Sequence, residues 1–436
     1  MGMTQLPPGP PSARLLNSMR LMRAPLDAPT DWYARYGDPF TIRAINGDVV
    51  MTAQPERIRE IFSADPGIFD PFAAHAVAPL TGPGSLLVLK GAEHRAERKL
   101  LMPPFHGARM RAYGLMMAEV AIRRLGATAD GEPFDALKVT QAISLEVILR
   151  AVLGLQPHEI DAVAEQVVRT VDGISPIFLF APFLQVRALG LTPWDRHVAR
   201  HDALDALMQT RIERLREGEL GEDILSLMLC ARYEDGSAMT DAHIKDELRT
   251  LLVAGHETTA LSLAWALDAV HRDPDAQRRL VDEVTSAEDC PEAHNRLPWL
   301  DAVCKETLRL YPVVPEVMRT LNQPWTFAGY DLLKGTSVGA SVHLTHYNPE
   351  LYPEPLRFRP ERFETRSYSP FEYLPFGGGH RRCIGAAFAN FELRVVLAAA
   401  LRTLTFECAR PEPPKIVRRN ITLAPQRGVL MRARRR

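Results

Sequence analysis

The chain has 436 residues, of which 46% are hydrophobic and 24% charged, the composition of a globular protein and not of a disordered or fibrous one. Its 52 basic and 53 acidic side chains leave a net charge of −1, which gives no global electrostatic reason to bind nucleic acid or an anionic membrane. The five cysteines, Cys230, Cys290, Cys304, Cys383 and Cys408, are too few and too unpatterned for a disulfide framework and fit a reducing compartment. At roughly 150 residues per domain, length alone suggests about three domains.

In chain order, Leu6-Pro-Pro-Gly-Pro-Pro11 cannot be helical, and no basic start followed by an apolar run marks a secretory signal. Nowhere do about 18 uncharged apolar residues run together, so no transmembrane anchor is expected and the expected location is the cytoplasm. Short strand-like runs at 38–43 and 47–52 come first. The segments 110–128, 139–153, 158–172, 195–216, 241–271, 275–287 and 299–310 then carry apolar residues at helical spacing. Further strand-like runs follow at 325–328, 337–342, 404–408 and 428–432. The fold class is therefore mainly α (α+β). Its β-rich parts, about 36–54, 320–345 and 403–433, should pair across the two ends of the chain and tie 1–436 into one unit.

One predicted helix stands out. Thr240 is a good N-cap, and Asp273-Pro274 starts the next helix, so the segment between spans about 31 residues and about 46 Å. A helix this long must cross the core. Its middle, Leu251 to Leu261, places Gly255, His256, Glu257, Thr258 and Thr259 inside an apolar span. Gly costs about 1 kcal/mol against Ala in a helix, and threonine hydroxyls can bond back one turn and bend it. Local rule-breaking at a buried centre marks a candidate functional site, with a kinked helix and a solvated Glu257 as the other reading. His256-Glu257 begins like a zinc-protease His-Glu-x-x-His, but Ala260 stands where the second His is needed.

The segment 376–385 is the most informative. Three glycines, Gly377 to Gly379, allow tight turns and close approach to a large flat group. Arg381 and Arg382 flank Cys383, and a strong helical pattern starts at Ala386. Positive charge and a helix N-terminus should both lower the thiol pKa and favour a thiolate. Such a thiolate can be a nucleophile or a metal ligand. No paired Cys or His offers a zinc site, and a single thiolate can serve as an axial ligand to haem iron.

Phe376-x-x-Gly379-x-Arg381-x-Cys383-x-Gly385 resembles the haem-ligand loop of the cytochromes P450. The resemblance extends along the chain in the family's order: Ala254-Gly-His-Glu257-Thr258-Thr259, Glu306-Thr-Leu-Arg309, Phe358-Arg-Pro-Glu-Arg362-Phe363, and His94 with Arg98. It implies the P450 fold and haem b, iron protoporphyrin IX, with Cys383 as the iron ligand. His94, Arg98, Arg319, Phe376 and Arg381 would contact the haem. Glu306, Arg309 and Arg362 would form a structural triad, and Gly255 would leave room for dioxygen. Thr258 would hydrogen-bond the oxygen or a water, and Glu257 would link that water to solvent. Ligand groups spread from 94 to 383 around one cofactor would make the whole length a single domain.

The activity so implied is a monooxygenase that activates dioxygen and hydroxylates C–H bonds of a hydrophobic small molecule, such as a terpenoid, steroid or fatty acid. The alternative is a peroxygenase or haem-dependent isomerase or dehydratase that needs no external electrons. Such variants usually lose the acid–threonine pair, which is present here. The expected pocket comprises Phe72, Val77, Leu80, Phe178, Phe180, Val253, Ala254, Val314, Val317 and Ile421, with Arg419 or Arg187 able to meet a carboxylate. Electrons would come from a separate ferredoxin or flavodoxin and its reductase, docking on Arg95, Lys99, Arg109, Arg111 and Arg382. A monomer is expected.

Overall fold

Helical periodicity becomes helix at each of the seven segments it marks, including Arg109–Gly126, Ala136–Leu153, Pro193–Glu217 and Pro298–Leu310. The long helix spans Asp241–His271, with the Thr240 hydroxyl accepting from the His243 amide at its start. Asp273 caps the next helix, Pro274–Ser286, through the Asp275 and Ala276 amides. These elements are those of a computed structural model, which describes residues 6–105, 109–173, 178, 182–218 and 220–436.

The long helix is the axis of the core. It packs along Ala136–Leu153 and against Ala386–Thr403 and Pro298–Leu310, and all four contribute to one buried apolar cluster. Its irregular centre is held by hydroxyl groups. Ser144 Oγ donates to the Gly255 carbonyl at 3.1 Å, and Thr140 Oγ1 to that of Ala260 at 2.9 Å. Within the helix, Thr258 donates to the Ala254 carbonyl and Ser262 to that of Thr258. A Cβ at position 255 would stand 2.8 Å from Ile148 Cδ1. Gly255 is therefore a close-packing glycine against Ala136–Leu153. The expectation that it leaves open space for dioxygen is corrected.

The main sheet joins distant parts of the chain, in the order Phe40–Ala44, Gly47–Thr52, Ser337–Ser341, Glu316–Leu321 and Phe69–Pro71. Gly47–Thr52 runs parallel to Ser337–Ser341, and the other pairs are antiparallel. A second sheet places Leu430–Arg435 between Leu404–Cys408 and Asp130–Asp135. The β-rich parts therefore extend beyond the predicted ranges. Asp130–Asp135 is polar and largely exposed, so it shows no alternation that would reveal it. Short helices at Arg14–Arg23, Asp27–Tyr36 and Pro55–Ser63 carry too few apolar positions to stand out.

The first half of the long helix carries a buried acidic cluster that the sequence did not suggest. Glu97, His243 and Glu247 each bring a polar atom to within 4.8 Å of the others. Tyr233 donates to Glu97 Oε2 at 2.7 Å, and a His243 ring nitrogen meets the Gly84 carbonyl at 2.8 Å. Glu247 is fully buried, and its carboxyl is pushed up to about 9, first by burial and then by Glu97. Folded Glu247 so keeps a proton that the unfolded chain releases near pH 4.3. Between that pH and about 9 the folded state binds the extra proton, so stability falls as pH rises through the window, by at most about 1.4 kcal/mol per pH unit. Glu247→Gln, a neutral isostere, is predicted to flatten this slope. Thermal unfolding from pH 5.5 to 8.5 should show the variant gaining on the wild type with pH. A constant difference between them would contradict the assignment.

Candidate active site

The loop before Ala386–Thr403 is shaped by its glycines. Gly377 and Gly379 hold φ of 65° and 66°, the left-handed region that glycine enters without strain. At Gly378 a Cβ would lie 2.2 Å from the Phe62 ring. The loop can therefore press against Phe62, where Arg319 Nη2 donates to the Gly378 carbonyl at 2.8 Å. The Cys383 amide closes the loop by donating to the Phe376 carbonyl at 3.0 Å.

Around this loop the chain gathers basic side chains from three elements. His94 and Arg98 come from the helix Gly91–Leu101, Arg319 from the strand Glu316–Leu321 of the main sheet, and His380 and Arg381 from the loop itself. Arg319 is almost wholly buried, its guanidinium stacked over Phe62 at 5.0 Å. The His94 and His380 rings meet edge to face at 5.8 Å. Arg381 donates to the carbonyls of Leu86 and Leu89. Burial, then Arg381, pushes Arg319 down to about 10. Burial, then Arg381, His380 and Arg98, pushes His94 down to about 3. Buried atoms Arg319 Nε, Arg381 Nε and His380 Nδ1 have no hydrogen-bond partner. A set of mutually repelling buried donors is a site built for anions. The two propionate carboxylates of a haem beside Cys383 fit that demand.

Cys383 departs from expectation in one respect. The residue keeps accessible surface, yet burial is the main influence on its thiol and raises its pKa. The Gly385 amide, Arg98 and Arg382 pull the other way, as a helix N-terminus and nearby cations should, but burial outweighs them. Arg381, expected to help, is committed to the Leu86 and Leu89 carbonyls. The chain alone therefore does not make the sulfur an anion. Cys304 and Cys408 are likewise raised by burial, to about 12 and about 11.

Glu306, Arg309 and Arg362 come together in the core. Arg309 Nε and Nη2 donate to Glu306 at 2.7 and 2.8 Å, and Arg362 Nε donates at 3.1 Å. The Arg359 amide donates to the same carboxylate at 2.8 Å. His346, which no sequence pattern marked, extends this network. Arg309 Nη1 donates to its carbonyl at 2.8 Å, and its Nδ1 meets the Arg309 carbonyl at 3.1 Å. Its Nε2 accepts from the Leu374 amide at 3.0 Å, two residues before Phe376. Burial pushes His346 down to about 3, so the ring is neutral and can accept at one nitrogen and donate at the other.

On the long helix, the Thr258 hydroxyl donates to the Ala254 carbonyl at 2.6 Å. Ala254 is exposed although its neighbours Leu251 and Leu252 are buried, so an apolar side chain faces open space at mid-helix. Glu257 Oε1 lies 3.1 Å from Arg419 Nε, so the acid of the long helix forms an ion pair with the C-terminal hairpin. Arg187 lies near Asp195, at 3.8 Å.

Of the expected pocket residues, Leu80 and Phe178 pack with Trp194 and Val253 in a small apolar cluster. Val77 is half-buried on the helix Ala74–Thr81, and Val314 is half-buried after Pro312. Val317 packs on the main sheet's core, 3.5 Å from where a Gly377 Cβ would be. Ile421 is exposed at a hairpin turn. Phe72, which follows the strand Phe69–Pro71, packs instead with the N-terminal cluster of Trp32 and Phe40. Phe180 lies outside the described residues. The expected basic face is interspersed with acids: Lys99 pairs with Glu234 and Arg111 with Glu292, while Arg95 and Arg382 are exposed.

Comparison with known proteins agrees in kind. The family profile for Cytochrome P450 matches residues 7–432. A Mycobacterium tuberculosis protein named "Putative cytochrome P450 135B1" is 35% identical over 98% of this chain and 91% of its own. "Putative cytochrome P450 138" of Mycobacterium bovis is 35% identical over 92% of this chain and 90% of its own. Among solved structures, the retinoic acid bound cyanobacterial CYP120A1 superposes with a TM-score of 0.89 at 23% identity over the full length of both chains. The cytochrome P450DA heme domain gives 0.87 at 22% identity, over 99% of this chain and 97% of its own.

The triad supports a test of its structural weight. Glu306→Leu leaves two buried guanidinium groups uncompensated, and breaking a buried pair this way costs about 3–5 kcal/mol. Chemical denaturation should show that loss, and a change within 1 kcal/mol would rule out a central role.

Proposed function

The chain belongs to the cytochrome P450 family, a family of haem-b monooxygenases, and we propose that it hydroxylates an apolar small molecule using electrons from a separate ferredoxin or flavodoxin. The observation that carries this reading is the buried cation set with unpartnered nitrogens beside an accessible cysteine. Haem held there supplies reductive activation of dioxygen at its iron, with a thiolate ligand favouring O–O cleavage.

In this reading Cys383 is the axial ligand, and the Gly385 amide and Arg98 moderate the charge on its sulfur. His94, Arg98, Arg319 and Arg381 hold the propionates, and Phe376 lies against the ring. The triad, through His346, fixes the loop that aims Cys383. Thr258 and Glu257 manage protons. The Thr258 hydroxyl donates a hydrogen bond to the Ala254 carbonyl, which leaves its oxygen lone pairs able to accept from a water in the space that Ala254 faces. An acid and a hydroxyl side by side suit a reaction that consumes two protons. Their presence favours dioxygen use over the electron-independent alternatives.

The substrate class follows from the lining. Leu80, Phe178 and Val253 offer an apolar surface, with Val77, Ala254, Val314, Val317 and Ile421 on neighbouring elements. Terpenoids, steroids and fatty acids match it, and the retinoic acid bound by the cyanobacterial neighbour in fold is of this kind. Exposed Arg382, beside Cys383 and acting on its thiol, and exposed Arg95, acting on His94 and His380, suit an acidic redox protein steered electrostatically.

The reduced, CO-bound difference spectrum tests the reading directly: the red-shifted band of thiolate-ligated haem is expected, and Cys383→Ser should abolish it. Its absence from the wild type would sink the proposal. Thr258→Ala should keep the band yet lower product formed per dioxygen consumed, within the roughly 10²–10⁴-fold range of general acid–base assistance. Unchanged coupling would remove Thr258 from the chemistry.

A further inference from the structure

The acidic cluster on the first half of the long helix has no part in the proposed chemistry. His243 and Glu247 stand four residues apart on one face of the helix Asp241–His271. Glu97 meets them from the helix Gly91–Leu101. One polar atom of each lies within 4.8 Å of those of the other two, and among the described residues no other three such side chains gather this closely. Glu97 is 1% exposed and Glu247 not at all. The loop 82–86 covers the cluster and is pinned to the same helix. The Gly84 amide donates to Asp246 at 2.7 Å, and Thr250 Oγ1 donates to Ser85 Oγ at 2.7 Å.

The cluster holds more acceptors than hydrogens. Tyr233 gives its one hydroxyl hydrogen to Glu97 Oε2 at 2.7 Å. Its oxygen, 3.2 Å from His243 Nδ1, can then only accept, which assigns a ring hydrogen to Nδ1. His243 Nε2 is left facing two further acceptors, the Gly84 carbonyl at 2.8 Å and Glu97 Oε2 at 3.4 Å. Glu97 Oε1 and both oxygens of Glu247 complete no hydrogen bond, although the Leu86 backbone eases the charge on Glu247. Two buried carboxylates and a carbonyl around one imidazole nitrogen demand positive charge between them. Two protons supply it, one on the ring and one on Glu247, and so does one divalent cation.

We propose that Glu97, His243 and Glu247 bind a divalent transition-metal ion, with the Gly84 carbonyl as a further oxygen donor. Neighbouring ligands at about 2.1 Å from one ion stand about 3–3.4 Å from each other, and His243 Nε2 lies close to that spacing from both Gly84 and Glu97. One imidazole among oxygen donors, with no thiolate, suits Zn²⁺ or Mn²⁺, whereas Ca²⁺ asks for six to eight oxygens. Tyr233 is the outer partner, orienting Glu97 and accepting from His243 Nδ1 as the partner of a metal-bound imidazole does. The ion clamps the helix Gly91–Leu101, which carries His94 and Arg98, to the long helix. Through Leu86, whose carbonyl accepts from Arg381, the clamp also touches the cations around the Cys383 loop. In the metal-free protein the proton on Glu247 described above fills the same need, so the pH slope predicted for Glu247 belongs to chelator-treated protein.

The test uses the full chain with its haem, stripped of loose metal by a chelator and titrated separately with Zn²⁺, Mn²⁺, Mg²⁺ and Ca²⁺. Elemental analysis after gel filtration should find one Zn²⁺ or one Mn²⁺ per chain in addition to haem iron. Thermal unfolding should shift upward and saturate at that ratio. Mg²⁺ and Ca²⁺ should bind more weakly. His243→Ala and Glu247→Gln should each weaken binding by more than the roughly 10–100-fold that loss of an outer partner costs, and Tyr233→Phe should fall within that range. Circular dichroism checks that each variant is folded. Should Glu247→Gln fail to fold, His243→Ala decides alone, because that side chain is 25% exposed and its removal disturbs little packing. Binding of neither Zn²⁺ nor Mn²⁺ means that protons alone balance the cluster and overturns the inference. Binding that persists unchanged in a folded His243→Ala variant places the ion elsewhere and overturns it as well.

Discussion

The carboxylate of Glu306 carries more of this structure than any other single group. It has no access to solvent, and it accepts from two guanidinium groups and a backbone amide. The partners come from two segments: Arg309 from Glu306's own helix, and Arg359 and Arg362 from the proline-bounded loop beyond the main sheet. Three buried charges are tolerable only because each satisfies the others. The geometry then propagates outward. Arg309 meets His346, and His346 receives the Leu374 amide, so the position of the Cys383 loop follows from a charge pair remote from it in sequence.

A different electrostatic situation holds at the other face of that loop. There, basic groups are gathered without counter-charges: Arg319, Arg381 and His380 keep buried nitrogens unpartnered, and His94 is driven far below its ordinary range first by burial and then by Arg381 and His380. The contrast is informative because the same fold satisfies Glu306 so completely. A chain that can pair buried charge in one place and leaves a group of donors unpaired in another has reserved those donors for an anionic ligand. The sulfur of Cys383 fits the same logic. Burial raises it more than Arg98 and Arg382 lower it, and a bound metal ion would supply the remaining positive charge.

The long helix reconciles stability with an irregular centre. Glycine, threonine and glutamate would weaken it in isolation, but hydroxyls from Ala136–Leu153 take up its carbonyls and Ile148 fills the space left by Gly255. The helix is thereby packed on one side and open on the other, where Ala254 and Thr258 stand. Its acid is covered by a hairpin from the far end of the chain.

Much of this was legible in the order of residues. Helix periodicity, the Thr240 and Asp273 caps and the spacing around Cys383 are local properties, because a helix forms and ends through groups within four residues of one another. Haem-loop chemistry was readable for the same reason, being concentrated in ten consecutive residues. What the sequence could not supply was the partner of each charged side chain. Whether Arg381 serves Cys383 or the Leu86 carbonyl, whether Glu257 meets water or Arg419, and whether Phe72 faces the pocket or Trp32 are matters of which distant segments touch. Burial likewise decides that Cys383 is raised, that Glu247 keeps its proton and that His346 is neutral, and burial belongs to the packed molecule. The sequence by itself determined the elements and the chemical groups available to the site. Only the tertiary structure decided their protonation and pairing, because desolvation and Coulomb attraction act through space, between residues as far apart in the chain as Glu257 and Arg419.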